Sequence, residues 1–204
     1  MGRKAKNDIL DRIDTYHSYH LFPNARIIDI CSDGNENEIT HAVAMRFIKN
    51  LCILESLSLD PITIHLNTSG GDVIQGMAIY DAILNSKCHI TIKVFGECSS
   101  IGSVIFQAAD ERVLYPSASV MFHSGSGGGI DGNPDETVNG AILNRSISTR
   151  CDKILFDKIN EKRSKDNQAL MAKKTFEIMN LKGKFMLAEE AVDIGLADKV
   201  EYPQ

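Results

Sequence analysis

Residues 62–109 read ITIHLNTSGGDVIQGMAIYDAILNSKCHITIKVFGECSSIGSVIFQAA, and this stretch decides the fold. β-Branched residues are frequent in its two strand-like segments, and each segment ends in a turn of small and polar residues. An apolar segment with helical character follows each turn directly. Strand, turn and helix in repeated succession indicate an α/β fold with mostly parallel strands and crossover helices. The expected elements are strands at 62–66 and 88–95, turns at 67–72 and 96–100, and helices at about 73–85 and 101–109.

The flanking sequence extends the same pattern in both directions. A long helix is predicted from about Asp135, which follows Pro134, to Lys162 or Arg163; this is roughly 40 Å of helix. The glycine-rich stretch 124–133 precedes it as a loop or an extended ribbon. We divide the chain into an N-terminal arm, 1–25, and one domain, 26–204. The remaining expected elements are strands at 26–31, 111–114 and 120–123 and helices at about 38–57, 167–180 and 188–194.

Composition narrows the class of protein. The chain has 204 residues, of which 43% are hydrophobic and 24% are charged, so it is long enough for one well-buried domain. Its formal net charge of −5 gives no global basic excess, and we expect no nucleic-acid partner. The five cysteines include no C-x-x-C pair, which favours a reduced, cytoplasmic protein. Because no 18-residue apolar window or secretory signal occurs, no membrane association is expected.

Three features could carry chemistry, and each also has an ordinary structural explanation. Ser100 stands between a strand and an apolar helix, where it is either a nucleophile at a helix N-terminus or a simple N-cap. Gly70 and Gly71 could bring backbone N–H groups to an oxyanion, or could form a tight turn. His123 ends a strand, where it is either a general base or a structural residue.

Taken in order, the motifs resemble those of the ClpP family, the proteolytic subunit of the Clp protease. They are NTSGGDVIQGMAIYDAI at 67–83, GECSSIGSVIFQAADERVLYPSASVMFH at 96–123 and AEEAVDIGLAD at 188–198. The resemblance covers about residues 26–200. It implies the ClpP/crotonase-type fold and a serine endopeptidase that hydrolyses unfolded proteins and peptides, with no cofactor and no metal.

The resemblance assigns roles residue by residue. Ser100 matches the nucleophile and His123 the general base, while Gly71 and Ile101 match the residues whose N–H groups form the oxyanion hole. The stretch 124–133 matches a ribbon that pairs with the substrate backbone, so Gly127, Gly128 and Gly129 are candidate substrate-binding residues. The region 124–165 matches the handle through which two rings interlock. Homo-oligomerisation into a heptameric double ring and docking of an AAA+ unfoldase are further implications.

The sequence departs from the family at three places. The third catalytic residue of the family is an aspartate two positions before an aromatic residue, and the matching position here is Gly183. Ser69 stands where the family has proline, and Asp72 follows the two glycines; we expect this carboxylate to point away from the site. The axial N-terminal segment of the family is not recognisable in residues 1–24.

Several activities therefore stay open. A Ser–His peptidase with a non-standard or missing third residue is favoured, and a weak or silent ring subunit acting with an active paralogue is the alternative. A crotonase-type hydratase would need carboxylates as acid and base, and only Glu97 lies near the turn. A Ser–Lys protease would need Lys87 or Lys93, neither of which has a special context.

Overall fold

The computed structural model describes residues 13–14, 16–31, 38–125 and 133–203. Helices and strands alternate along most of this length. The strands are β1 (Leu21–Phe22), β2 (Ile27–Cys31), β3 (Glu38–Ile39), β4 (Ile62–Thr68), β5 (Gly70–Gly71), β6 (Ile90–Ser99), β7 (Glu111–Leu114), β8 (Ser119–Phe122), β9 (Lys184–Leu187) and β10 (Lys199–Val200). The helices are α1 (His41–Leu57), α2 (Val73–Leu84), α3 (Ile101–Phe106), α4 (Pro134–Lys165), α5 (Lys173–Lys182) and α6 (Ala188–Ile194).

One mostly parallel sheet organises the domain, in the order β1-β2-β4-β6-β7-β10. The prediction of an α/β fold with a largely parallel sheet is confirmed. Strand β6 is ten residues long and pairs with β4 on one side; on its other side, residues 91–94 pair with β7 and residues 97–99 pair with β8. The carboxyl end of β6 therefore lies next to β8, which belongs to the same eight-stranded sheet and pairs in turn with β9. A second, two-stranded parallel sheet joins β3 and β5.

The core lies between this sheet and its helices. The seven residues of β4 alternate between buried and partly buried, as expected for a strand with one face covered more completely. Helix α1 buries the stripe Ala44, Phe47, Leu51 and Leu54, which recurs at three and four residues and packs on the sheet. Helix α3 is buried along its whole length, because it lies between the sheet, α2 and α4.

A partly buried ion pair joins the segment after α6 to the sheet. Arg112 on β7 donates from Nε and Nη2 to the two carboxylate oxygens of Asp198, at 3.1 and 2.7 Å. Its backbone N–H also donates to Asp198, at 2.7 Å. Bidentate pairing of this kind fixes geometry as well as energy. The pair therefore holds the segment after α6 against β7, where β10 completes the sheet.

Several predicted boundaries were wrong. Strand β9 was not predicted; it pairs antiparallel with β8 and places residues 184–187 beside the strand that ends at His123. The helix expected from 167 begins only at Lys173, and the helix expected from 38 begins at His41 because 38–39 form β3. Helix α4 runs to Lys165 rather than to 162 or 163, and α3 ends at Phe106.

Two sequence-based predictions lie partly outside the described residues. The described end of the predicted N-terminal arm contains β1, which pairs antiparallel with β2. Gly127, Gly128 and Gly129 lie outside the described residues. In the described part of the chain, no helix is long and apolar enough to cross a lipid bilayer.

Candidate active site

Ser100 occupies a strained turn between β6 and α3. Its φ of 55° and ψ of −124° are sparsely populated by residues other than glycine. Three backbone contacts hold it there: its N–H donates to the Met121 carbonyl at 2.8 Å, and its carbonyl accepts from the backbone and hydroxyl of Ser103 at 3.0 and 2.6 Å. Although Ser100 is in the N-cap position, its side chain caps no helix N–H. The hydroxyl is thereby left for other contacts.

The two glycines before α2 are required by packing. Gly70 has φ +112°, and a Cβ at this position would lie 2.6 Å from the Cβ of Ser100. Gly71 has φ +133°, and a Cβ there would lie 2.6 Å from the backbone nitrogen of Ile39. No side chain can be added at either position without moving backbone or the Ser100 turn. Strand β5 therefore passes directly against the serine.

The serine and histidine predicted from sequence are brought together. Strand β8 ends at Phe122, and the next residue, His123, places Nε2 at 2.9 Å from Oγ of Ser100. This is hydrogen-bond distance for a hydroxyl donating to an unprotonated imidazole nitrogen. β8 pairs with the last residues of β6, so the main-chain register itself aligns the two side chains. An imidazole placed in this way can take the hydroxyl proton.

A cavity of about 500 Å³ opens beside this pair. Gly71 and Ile101 line it together with Ser100 and His123, so all four sequence-predicted residues that are described share one site. Ile101 is the first residue of α3, where helix N–H groups lack acceptors within the helix. The arrangement can place an N–H donor, a hydroxyl and an imidazole around one carbonyl carbon.

Asp72 also lines the cavity, but its carboxylate binds backbone N–H groups of its own helix. Its Oδ1 accepts from the N–H groups of Ile74 and Gln75, at 2.8 and 3.1 Å, and so caps α2. These bonds and the positive end of the helix compensate the charge. The side chain is exposed, as expected from the sequence, and makes no contact with Ser100 among the described residues.

Helix α4 supplies a wall of the cavity that the sequence did not suggest as part of the site. Asp152 lines the cavity and is partly buried; its Oδ1 accepts from the amide nitrogen of Asn180 at 2.8 Å. The same amide nitrogen donates to the Ser124 hydroxyl at 3.1 Å, next to His123. Burial raises the pKa of Asp152, and the Asn180 hydrogen bond opposes this increase. The sequence did contain one indication that this face of α4 is buried: the apolar residues Ile147, Cys151 and Leu155 are spaced by four and so lie on one side of the helix.

Two cysteines near the site are not nucleophiles. Burial, followed by the charge of Asp152, raises the pKa of the Cys151 thiol to about 11. Burial likewise raises the pKa of Cys98, two residues before Ser100. A protonated, buried thiol is inert near neutral pH. Ser100 is therefore the nucleophilic side chain that the described part of this site presents.

Gly183 lies beside the histidine. It ends α5 with φ +65°, and a Cβ built on it would lie 3.6 Å from the Cβ of His123. Among the described residues, the hydroxyl of Ser100 is the hydrogen-bond partner of the imidazole, and no carboxylate contacts the ring. The position where the sequence comparison places an acid is thus next to His123, but it has no side chain.

Two residues that the rival activities would need form contacts outside the site. Glu97 accepts from the Ser99 hydroxyl at 2.6 Å and is not part of the cavity wall. Lys93 pairs with Glu201 at 2.7 Å. In the described residues, no group of three histidine, cysteine, aspartate or glutamate side chains could hold a metal ion.

The geometry and a comparison with known families agree. The model of the Clp protease family matches residues 11–204, which is nearly the whole chain. The match includes β6, α3 and β8, the elements that carry Ser100 and His123. By this match the chain belongs to the Clp protease family, a family of serine peptidases.

Proposed function

We propose that this protein is a serine endopeptidase of a self-compartmentalised ring protease, with Ser100 as nucleophile and His123 as general base. The observation that carries the proposal is the 2.9 Å contact between Oγ of Ser100 and Nε2 of His123, made at a strained turn that leaves the hydroxyl uncapped. Strain at a turn that holds a potential nucleophile is a feature of functional sites.

The reaction follows from these positions. His123 Nε2 takes the Ser100 proton as Oγ attacks the peptide carbonyl, and the carbonyl oxygen becomes an oxyanion. The N–H groups of Gly71 and Ile101 donate to that oxygen; the loss of one such donor costs about 10²–10³-fold in rate. The imidazolium then gives its proton to the leaving amine, and the acyl-enzyme is released by a water that His123 deprotonates.

The third catalytic position is filled by Gly183, so we propose catalysis by a Ser–His dyad with reduced activity. In a triad the acid holds the imidazole in one tautomer and orientation, and loss of that function lowers kcat about 10⁴-fold. Here the contact with Ser100 restrains the ring instead.

The substrates that we propose are peptides and unfolded proteins. A ribbon at 124–133 that includes Gly127, Gly128 and Gly129 would pair with the substrate main chain, which gives affinity with weak sequence preference. Assembly into a heptameric, double ring through α4 and delivery of substrate by an AAA+ unfoldase are proposed from family membership. Cytoplasmic localisation stays a prediction from sequence.

The testing experiment is covalent labelling of the purified, assembled protein by a fluorophosphonate, read by intact mass and peptide mapping. We expect one adduct, on Ser100, because only a serine activated by a neighbouring base reacts rapidly. Ser100→Ala should remove both the adduct and peptide hydrolysis while the assembly stays intact. Residual hydrolysis by pure Ser100→Ala protein would contradict the assignment of the nucleophile.

The second candidate function is a silent ring subunit that acts with an active paralogue. The specific observation in its favour is the missing side chain at Gly183, beside His123. It predicts no fluorophosphonate adduct on folded, assembled protein. It also predicts that Ser100→Ala leaves the activity of a mixed ring unchanged.

A further inference from the structure

One face of α4 presents two parallel rows of side chains to the cavity beside Ser100. Residues spaced by four lie above one another on a helix. The first row is apolar and consists of Ile147, Cys151 and Leu155. The second row is polar and consists of Asn144, Ser148 and Asp152. A side chain that enters the cavity along α4 therefore meets an apolar strip and, beside it, a strip of hydrogen-bonding groups that ends in a carboxylate.

In the described part of the chain, the carboxylate of Asp152 forms no ion pair with a lysine or arginine side chain. Its described partner is the neutral amide of Asn180, which contacts Oδ1 alone. No lysine or arginine is found among the described residues that line the cavity. Burial raises the pKa of Asp152, which means that the ionised form is short of compensating interactions. A ligand cation would supply the missing partner.

The other carboxylate at the cavity, that of Asp72, does not compete with Asp152 for a ligand cation. Asp72 already accepts two backbone N–H groups at the start of α2, so its charge is compensated. Asp152 instead lies on α4, the helix that also carries the apolar row.

The cavity suits a long side chain with a charged end. Its volume of about 500 Å³ falls within the range of pockets that enclose a small ligand. Lysine and arginine have aliphatic stems that pack on apolar surface while the charged group reaches a polar partner. Because Gly71 and Ile101, the candidate oxyanion donors, border the cavity, the nearest substrate side chain is that of the residue whose carbonyl is attacked.

We propose that Asp152 is a specificity-determining residue that selects lysine or arginine immediately before the cleaved bond. This inference rests on the proposed peptidase function of Ser100 and names the substrate class of that site. The aliphatic stem lies along the apolar row, and the cationic end donates to the Asp152 carboxylate, which is the acceptor that remains available beside the Asn180 bond.

The test compares kcat/KM for quenched fluorescent peptides that differ only at this position, with lysine, arginine, norleucine or glutamate. We expect wild-type protein to prefer lysine over glutamate by at least about tenfold in kcat/KM. Glutamate loses the charge-assisted contact with Asp152 and is also repelled by its carboxylate, and together these effects exceed about tenfold. Asp152→Asn keeps the acceptor for Asn180 but loses the charge. It should lower the lysine-to-norleucine ratio by about tenfold or more.

Asp157→Asn is the matched control, because Asp157 is an exposed aspartate on the same helix that pairs with Lys153. Its lysine-to-norleucine ratio should equal that of wild type. An unchanged ratio in Asp152→Asn, an equal fall in both variants, or a loss of preference in Asp72→Asn instead would overturn the proposal. So would product masses that show cleavage before lysine rather than after it.

A binding measurement separates this inference from the proposed function. In Ser100→Ala protein, fluorescein-labelled peptides that end in lysine or norleucine are compared by anisotropy, which needs no turnover. Tighter binding of the lysine peptide, abolished by Asp152→Asn, supports the role of Asp152 even if Ser100 is never labelled. Equal binding of both peptides refutes it even if labelling succeeds.

Discussion

Restoring a carboxylate at Gly183 tests whether a missing acid limits catalysis. The structure admits the substitution, because among the residues it describes a Cβ at this position would contact the Cβ of His123 alone, at 3.6 Å, which is ordinary van der Waals contact. Aspartate also tolerates the left-handed backbone, φ +65°, better than most residues. We therefore expect Gly183→Asp to fold and to place its carboxylate next to the imidazole.

Gly183→Asp should change both the stability of the protein and its catalytic rate. In stability, a non-glycine residue with left-handed backbone costs about 1 kcal/mol, which for a chain of this size lowers Tm by about 2–4 °C. In rate, an acid that fixes the imidazole contributes up to about 10⁴-fold in kcat. Because the Ser100 bond already restrains the ring, we expect part of this gain, at least about tenfold.

The assay is kcat for one peptide substrate and the rate of fluorophosphonate labelling, measured for wild type, Gly183→Asp and Gly183→Asn. Asparagine matches aspartate in shape and tolerates the same backbone, but it does not stabilise an imidazolium. The aspartate variant should be faster than both others. Equal rates for the two variants, at unchanged fold and assembly, would refute the reasoning that an acid is missing.

Three further predictions concern the turn at Ser100 and the fold around it. Ser100→Gly should be more stable than Ser100→Ala by about 1 kcal/mol in urea unfolding, because glycine relieves the strained backbone while both variants lack the hydroxyl. Gly70→Ala should slow labelling of Ser100 by about 10²-fold or more, since a Cβ 2.6 Å from that of Ser100 must displace the nucleophile. Asp198→Asn should lower the free energy of unfolding by about 2–4 kcal/mol near neutral pH. Burial alone would raise the pKa of Asp198, but Arg112 holds it below its usual value. That stabilisation is therefore present above the unfolded-state pKa and lost as pH falls through the lower folded-state pKa, so the difference in stability between the two proteins should begin to shrink below about pH 4 and disappear only at still lower pH.

Much of the sheet was predictable because the longer parallel strands carry their own local signals. Ile62–Leu66 and Ile90–Val94 are β-branched segments bounded by turns, and their burial on the sheet follows from that composition. Strand β9 had no such signal. It has four residues, begins with a lysine, and is specified by its antiparallel pairing with β8. Short strands of this kind depend on their neighbours rather than on local propensity.

The candidate site was predictable only in part, and mostly through the family's motifs. The spacing of Ser100 and His123 contains no periodicity that would place them together; the pairing of β8 with the end of β6 does so. Asp152 was not identified because it stands in a helix whose sequence is mainly polar, where one more acid is unremarkable. Only packing of α4 over the cavity distinguishes Asp152 from Asp157, which is exposed on the same helix.

The strained turn at Ser100 and the missing side chain at Gly183 bear on the choice between an active and a silent subunit. Strain at Ser100 lowers stability, and Gly70 is the residue that allows β5 to approach that strained turn. A purely structural ring subunit gains nothing from a turn that exposes an uncapped hydroxyl to an imidazole at 2.9 Å, because an N-capping serine with relaxed backbone would stabilise α3. Gly183 has the opposite implication, since it removes a group that only catalysis requires. The strained turn and the glycine are both explained if the Ser–His dyad is active but slow. The comparison of Gly183→Asp with Gly183→Asn then measures how much kcat is lost because no carboxylate stands at this position.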